Sequence, residues 1–147
     1  MQISWRLVFV IEYFGPILAF CFFYSQPSFI YGKSAVGARP TERDLCTQQI
    51  AFWLVIGHYV KRELESAFVH RFSSSTMPFN RIFINSSHYW ILFGVGIGYY
   101  LFHPAYTAPM WVSDPVKYVL IAGFLFSEVM NLCCHIVLKN LRAPGST

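Results

Sequence analysis

Charge is scarce in this sequence. Only 12% of its 147 residues are Asp, Glu, Lys or Arg, about half the ~25% usual in soluble domains. A soluble domain needs more charge to cover its surface, so the composition argues against one. Disorder is excluded as well, because it requires low hydrophobicity and high net charge. Cysteine is also sparse. Cys21, Cys46, Cys133 and Cys134 show no paired spacing, so they form no disulfide framework and no CxxC metal or redox motif. Small buried hydrophobes are their expected role. The five histidines have no i,i+4 pairing and no HExxH, so no metal site is expected. No GxSxG or Walker A sequence occurs, which leaves nucleophilic hydrolysis without support. The formal charge of +4 comes from 11 basic residues spread along the chain. Nucleic-acid binding needs them clustered, so no nucleic-acid partner is expected.

Apolar residues are abundant. They make up 55% of the chain, aromatics 19%, and the mean hydropathy is +0.44. The sequence predicts an all-α, polytopic membrane protein with about four transmembrane helices, near residues 5–24, 46–66, 87–102 and 116–138, in one domain over 1–147. Each predicted span is bounded by polar or breaker residues, and the first is long enough for a hydrocarbon core of about 30 Å. Gly15-Pro16 is expected to kink it, which neighbouring helices can tolerate by satisfying the freed carbonyl. Residues 25–45 and 71–85 read as connections. Gly94, Gly96 and Gly98 lie inside the third span. A phosphate-binding loop would follow a strand, so close helix–helix contact is their expected role. Four spans place Arg6, Lys61, Arg62, Arg71, Arg81, Lys139 and Arg142 on one side of the bilayer. Lys33, Arg39, Arg43 and Lys117 fall on the other. The excess puts both termini in the cytosol.

Ionisable groups at membrane depth cost roughly 2.5–3.5 kcal/mol on insertion scales and usually face a protein interior or a cavity. Three places stand out. Glu12 lies in the middle of the first span with no basic residue at i±3 or i±4. It is therefore protonated or paired with another helix, and a substrate-pocket acid is its expected role. Tyr59, Arg62, Glu63 and Ser66 share a helical face, and Lys61 and Glu65 form an i,i+4 pair. Lys61 and Glu65 fit a helix end emerging among lipid head groups. Glu128, Asn131, His135, Lys139 and Arg142 follow one another at steps of 3, 4, 4 and 3, one stripe on a greasy helix. That stripe suits a ligand with an anionic head such as a phosphate-bearing nucleotide. The alternative is a polar seam between helices.

Five blocks of sequence resemble the very-long-chain trans-2-enoyl-CoA reductase group of the steroid 5α-reductase superfamily. They are Gln2-Ile3-Ser4-Trp5 leading to Glu12-Tyr13-Phe14-Gly15-Pro16; His58-Tyr59-Val60-Lys61-Arg62; Glu65 with Phe68 to Ser73; Tyr89-Trp90 through Tyr99-Tyr100 to His103-Pro104 and Tyr106-Thr107; and His135 to Arg142. The resemblance implies an endoplasmic-reticulum membrane enzyme that reduces the enoyl-CoA double bond with NADPH in the last step of fatty-acid elongation. Its partners would be an acyl-CoA substrate, the lipid bilayer and other elongation enzymes. Carried over by position, Glu12 and Tyr59 are the implied catalytic residues. Asn131, His135 and Arg142 are the implied cofactor-binding residues. Ser74 stands where the family usually has His, and Phe102 where it usually has Asn. The resemblance also implies that family members extend beyond both ends of these residues. On that ground the 147 residues alone are expected not to catalyse reduction. Two other readings compete. One is a steroid or polyprenol reductase relative. The other is a non-catalytic membrane scaffold or partner of the elongation machinery. A transporter is disfavoured because there are no inverted repeats.

Overall fold

The computed structural model describes residues 1–32, 41–72 and 74–141. The chain is mostly helical. A first helix, α1 (Trp5–Tyr24), is followed by a short α2 (Ser28–Tyr31) and a long α3 (Glu42–Leu64), which continues as a π-helical turn, Glu65–Val69. A second helical rod follows, made of α4 (Arg81–Ser86), a π-helical stretch (Ser87–Ile97) and α5 (Gly98–Leu101). The last helix is α6 (Asp114–Leu141). The expectation of an all-helical fold needs one correction. Gln2–Ser4 (β1) and Thr76–Pro78 (β2) pair antiparallel, with Ile3 opposite Met77. Two three-residue strands carry too little periodicity to be read from sequence. They close the base of α1, where Val8, Met77 and Ile82 form a small core.

The predicted first and last spans coincide with the two helices, α1 and α6, that among the described residues are long and apolar enough to cross a membrane. The α6 helix has no buried residue and bares large apolar side chains such as Val119, Phe126 and Val137. Such a surface is stable only in lipid or against a partner. The other two predicted spans fall on α3 and on the 81–101 rod. The expected connection at 71–85 is shorter than supposed, since helix begins at Arg81.

The helices meet closely where glycine permits. Any Cβ on Gly94 would lie 3.0 Å from the Ala19 methyl, and on Gly98 3.0 Å from the Phe23 ring. Their i,i+4 spacing turns both toward α1, which bears out the expected helix contact. Gly96 faces away, with only the Ile91 carbonyl near. At the Gly15-Pro16 step the Trp90 indole covers Gly15 and donates to the Ile11 carbonyl at 2.9 Å. Proline frees backbone carbonyls at such a step, and the neighbouring rod supplies a donor beside it.

A second core of Phe20, Phe23, Tyr31, Phe52 and Phe102 fills the opposite end. Phe102, one of the two departures from the family pattern, is fully buried there. Gln48 donates to the Leu101 and His103 carbonyls at 2.8 and 3.2 Å, and Asp44 accepts from the Ala108 amide at 2.6 Å. The His103-Pro104 loop is thereby tied to the start of α3. The cysteines correct another expectation: all four are free and exposed. They lie on outward faces, where a thiol serves as one more small apolar group.

Candidate functional site

The site grows from the polar stripes of α3 and α6. Lys61 and Glu65 pair at 2.9 Å as their spacing requires. Glu65, however, does not emerge among head groups. It is 2% exposed, and its second oxygen lies 2.7 Å from Arg62 Nη1 and 3.0 Å from His135 Nδ1. Farther along α6, Glu128 forms an ion pair with Lys61 at 3.1 Å and lies 2.7 Å from His58 Nδ1. Asn131 accepts from Lys61 at 3.1 Å and from Arg62 at 3.4 Å. Lys139 donates to the Phe68 carbonyl at 3.3 Å. The α6 stripe is therefore a polar seam against α3, held by opposite charge.

At one end of the seam lies a cavity of about 340 Å³ lined by Arg62, His70, Arg71, His135 and Lys139 together with Trp5, Phe9, Phe72 and Leu138. One wall is cationic and the other aromatic. Phe9 stacks on Trp5 at 5.9 Å and on Phe72 at 5.6 Å between ring centroids. Arg62 is clamped from two sides, because Nη2 donates to the Tyr13 hydroxyl at 2.8 Å and the guanidinium lies over the Tyr13 ring. The Arg71 guanidinium donates to the Lys139 carbonyl at 3.2 Å. The His70 and His135 rings meet edge to face at 4.6 Å. Burial holds His70 below its ordinary value, helped by the positive neighbours His135 and Arg62.

Glu65, His70 and His135 each bring a ligand atom within 4.8 Å of the others. Arg62 Nη1 sits 2.7 Å from Glu65 and 3.3 Å from His135. A guanidinium thus takes the place a metal ion would need, and Lys61 on the other Glu65 oxygen adds to the repulsion. This geometry favours an organic cation clamp over a metal centre.

The site residues expected from sequence divide into two groups. His135 lines the cavity, and Asn131 lies on the same helix in contact with Lys61 and Arg62. Arg142 lies outside the described residues. Glu12 and Tyr59 are buried a short way along the bundle. Tyr59 packs against Tyr13 at 6.2 Å, Tyr89 at 6.5 Å and Phe93 at 5.5 Å. The Glu12 carboxyl meets the Asn85 side chain of α4. Its Oε1 is buried with no hydrogen-bond donor among the described residues. The Asn85 amide is a polar neighbour on another helix that suits a protonated and an ionised Glu12 alike, so both alternatives of its sequence context stand.

Sequence reasoning gave no site role to Trp5, Glu65, His70, Arg71 or Phe72. Glu65 looked like half of a surface pair, and the others belong to segments far apart in sequence that the packing around β1 and β2 brings together. Ser74, the second departure from the family pattern, has a local use, accepting from the Trp5 indole at 2.9 Å.

Residues 75–147 match the model of the 3-oxo-5-alpha-steroid 4-dehydrogenase family. That match covers just under half of the chain, its C-terminal part. Similarity to individual proteins extends over almost the whole chain. A Caenorhabditis elegans protein named probable very-long-chain enoyl-CoA reductase is 43% identical over 99% of this chain and 45% of its own length. The very-long-chain enoyl-CoA reductase of Dictyostelium discoideum is 38% identical over 99% of this chain and 45% of its own length. The mouse trans-2,3-enoyl-CoA reductase-like protein is 32% identical over 99% and 39%, respectively. The chain spans about half the length of the curated relatives it matches. No solved structure matches it.

Proposed function

We propose that this chain forms part of an NADPH-dependent very-long-chain trans-2-enoyl-CoA reductase of the endoplasmic-reticulum membrane. The observation that carries the reading is the cavity between α1, the 70–72 segment and α6. It lies in a chain 38–43% identical to proteins named very-long-chain enoyl-CoA reductases. The residues present fit a nicotinamide dinucleotide. Arg62, Arg71 and Lys139 suit phosphate groups, and Trp5, Phe9 and Phe72 suit a flat ring. A cavity of about 340 Å³ is at the small end of ligand pockets, so it takes one part of so large a cofactor. Asn131 and His135 extend the binding surface along α6, and Arg142, outside the described residues, is the third proposed cofactor-binding residue.

The cofactor, when bound, supplies a hydride to the β-carbon of the enoyl thioester. The chain's own task is to orient the two reactants and to stabilise charge building on the thioester carbonyl. Glu12 and Tyr59 are the groups for that task. Both are buried, and Glu12 Oε1 offers a position that no described donor fills. A protonated Glu12 or the Tyr59 hydroxyl hydrogen-bonds to the carbonyl oxygen as charge builds there, and the α-carbon of the resulting enolate takes its proton from solvent. In this reading α3 and the 81–101 rod are the second and third spans. At 1.5 Å per residue, the 23 residues of α3 reach about 35 Å, and both termini face the cytosol. Acyl-CoA and other elongation enzymes are the proposed partners.

The test is a titration of the purified chain in lipid nanodiscs with NADPH, read by nicotinamide fluorescence. Saturable binding that weakens at least about tenfold in Arg71→Ala or Lys139→Ala supports the reading, since a charged hydrogen bond is worth about 1.5–3 kcal/mol. No binding by the parent chain overturns it. Adding trans-2-hexadecenoyl-CoA to the same sample tests catalysis. The family resemblance leads us to expect no turnover from these residues alone, and turnover that vanishes in Glu12→Gln would show otherwise.

A further inference from the structure

Glu65 touches the cavity's wall without lining the cavity. Its Oε2 holds Arg62 at 2.7 Å and His135 at 3.0 Å, and both of those residues face the cavity. Its Oε1 holds Lys61 at 2.9 Å. A buried carboxylate needs a partner, because desolvation costs several kcal/mol per ion. One cation would meet that need. Here three nitrogen-bearing side chains from two helices converge on one carboxylate. The backbone contributes as well: Glu65 opens the π-helical turn Glu65–Val69, a departure from α geometry that often marks functional positions.

We infer that Glu65 is a positioning residue, which sets the Arg62 guanidinium and the His135 ring in the orientation that receives the cofactor. This rests on the cofactor reading above. The short contacts of Arg62 are to Glu65 and Tyr13, at 2.7 and 2.8 Å. Removing the Glu65 charge leaves the Tyr13 contact and the longer ones to Asn131 and His135 at 3.3–3.4 Å, and loosens the guanidinium on its Nη1 side. His135 loses the carboxylate beside Nδ1, and with it the contact that selects its ring orientation. Neither change removes a group that touches the ligand, so the effect passes entirely through Arg62 and His135.

The experiment is a mutant cycle on NADPH affinity in nanodiscs, with inter-helix distances as a second readout. Glu65→Gln is expected to weaken NADPH binding about tenfold, the worth of one charge-assisted contact. In an Arg62→Gln/His135→Gln background the same change is expected to matter by less than about twofold, because nothing remains to be positioned. Affinity within about twofold of the parent for Glu65→Gln alone overturns the inference, as does an undiminished loss in the double background. Should Glu65→Gln fail to insert, Glu65→Asp carries the test. It keeps the charge one methylene short and must itself weaken binding, so parental affinity overturns the inference. If the parent chain binds no NADPH, the cofactor reading fails separately. Spin labels at the exposed positions 64 and 137 then decide. A broadened α3–α6 distance in Glu65→Gln keeps Glu65 as the organiser of this wall, and an unchanged one overturns it.

Discussion

Trp90 fills the space that any side chain at position 15 would need. An added Cβ on Gly15 would come within 2.0 Å of the indole nitrogen. Gly15→Val must therefore expel Trp90 and break its bond to the Ile11 carbonyl. Overpacking of this kind costs about 1–3 kcal/mol. A lower unfolding temperature in detergent and a more solvated tryptophan spectrum are expected. Gly57→Ala is the control, since nothing lies within 4 Å of the methyl it would gain and alanine favours helix by about 0.8–1 kcal/mol. His70 gives a prediction of different kind. Burial, then the charges of His135 and Arg62, lower its proton affinity, Lys61 adds to them, and Glu65 partly opposes them. The unfolded chain therefore binds the proton more readily, so stability falls as the pH drops through the ordinary histidine range near 6.5. Melting curves between pH 7.5 and 5.5 on the parent and on His70→Phe check this. The parent should lose more stability on acidification than the variant.

The α3–α6 seam is an interaction between elements, and Lys61 is its hinge of charge. It serves Glu65, Glu128 and Asn131 at once. Lys61→Met keeps the apolar stem but leaves two carboxylates short of a cation. Breaking a buried pair costs about 3–5 kcal/mol, so loosened docking of α6 is expected, read as faster proteolysis near residue 113. Val137→Ala on the exposed face of α6 should leave docking unchanged. Much of this seam is legible in the sequence. The steps from Glu128 to Lys139 follow helical spacing, and so does the Tyr59-Arg62-Ser66 face, because period alone decides which side chains share a face. Which stripe meets which is not legible. The partner of Glu12 proves to be Asn85 of α4. Glu65 is misplaced by sequence reasoning for a physical reason: an i,i+4 pair looks the same on a solvated helix end as it does under a second helix. The cavity is the least legible part, since it joins Trp5 and Phe9 of α1 to His70 and Phe72 far along the chain, and the three-residue strands beside it leave no pattern to read.

At the scale of the whole molecule the fold is lopsided. The α1 helix is enveloped by the 81–101 rod, α3 and the β pair, whereas α6 buries no residue and docks through its polar stripe. Beyond the Asp114–Lys117 pair of its first turn, α6 has bare apolar faces and carries its charges along the seam, an arrangement for lipid outside and polar contact inside. Among the described residues two helices meet the length and composition needed to cross a bilayer. The proposed four-span arrangement additionally requires α3 and the rod to cross. Side chains at its two ends separate that arrangement from one in which only α1 and α6 cross. Four crossings put Ser75, beside β2, in the cytosol and Met110, between α5 and α6, on the lumenal side. If α3 and the rod stay on one face, both positions lie on that face. Both are exposed, so each accepts a probe without disturbing the core. In a background with the four native cysteines replaced by serine, Ser75→Cys should react with an impermeant maleimide in sealed, outward-oriented microsomes. Met110→Cys should react only after the membrane is opened. Equal labelling of both from one side would place α3 and the rod on a single face of the bilayer. The cationic wall of Arg62, Arg71 and Lys139 would then have no claim to a defined cytosolic orientation, and the cofactor would have to reach it by another route.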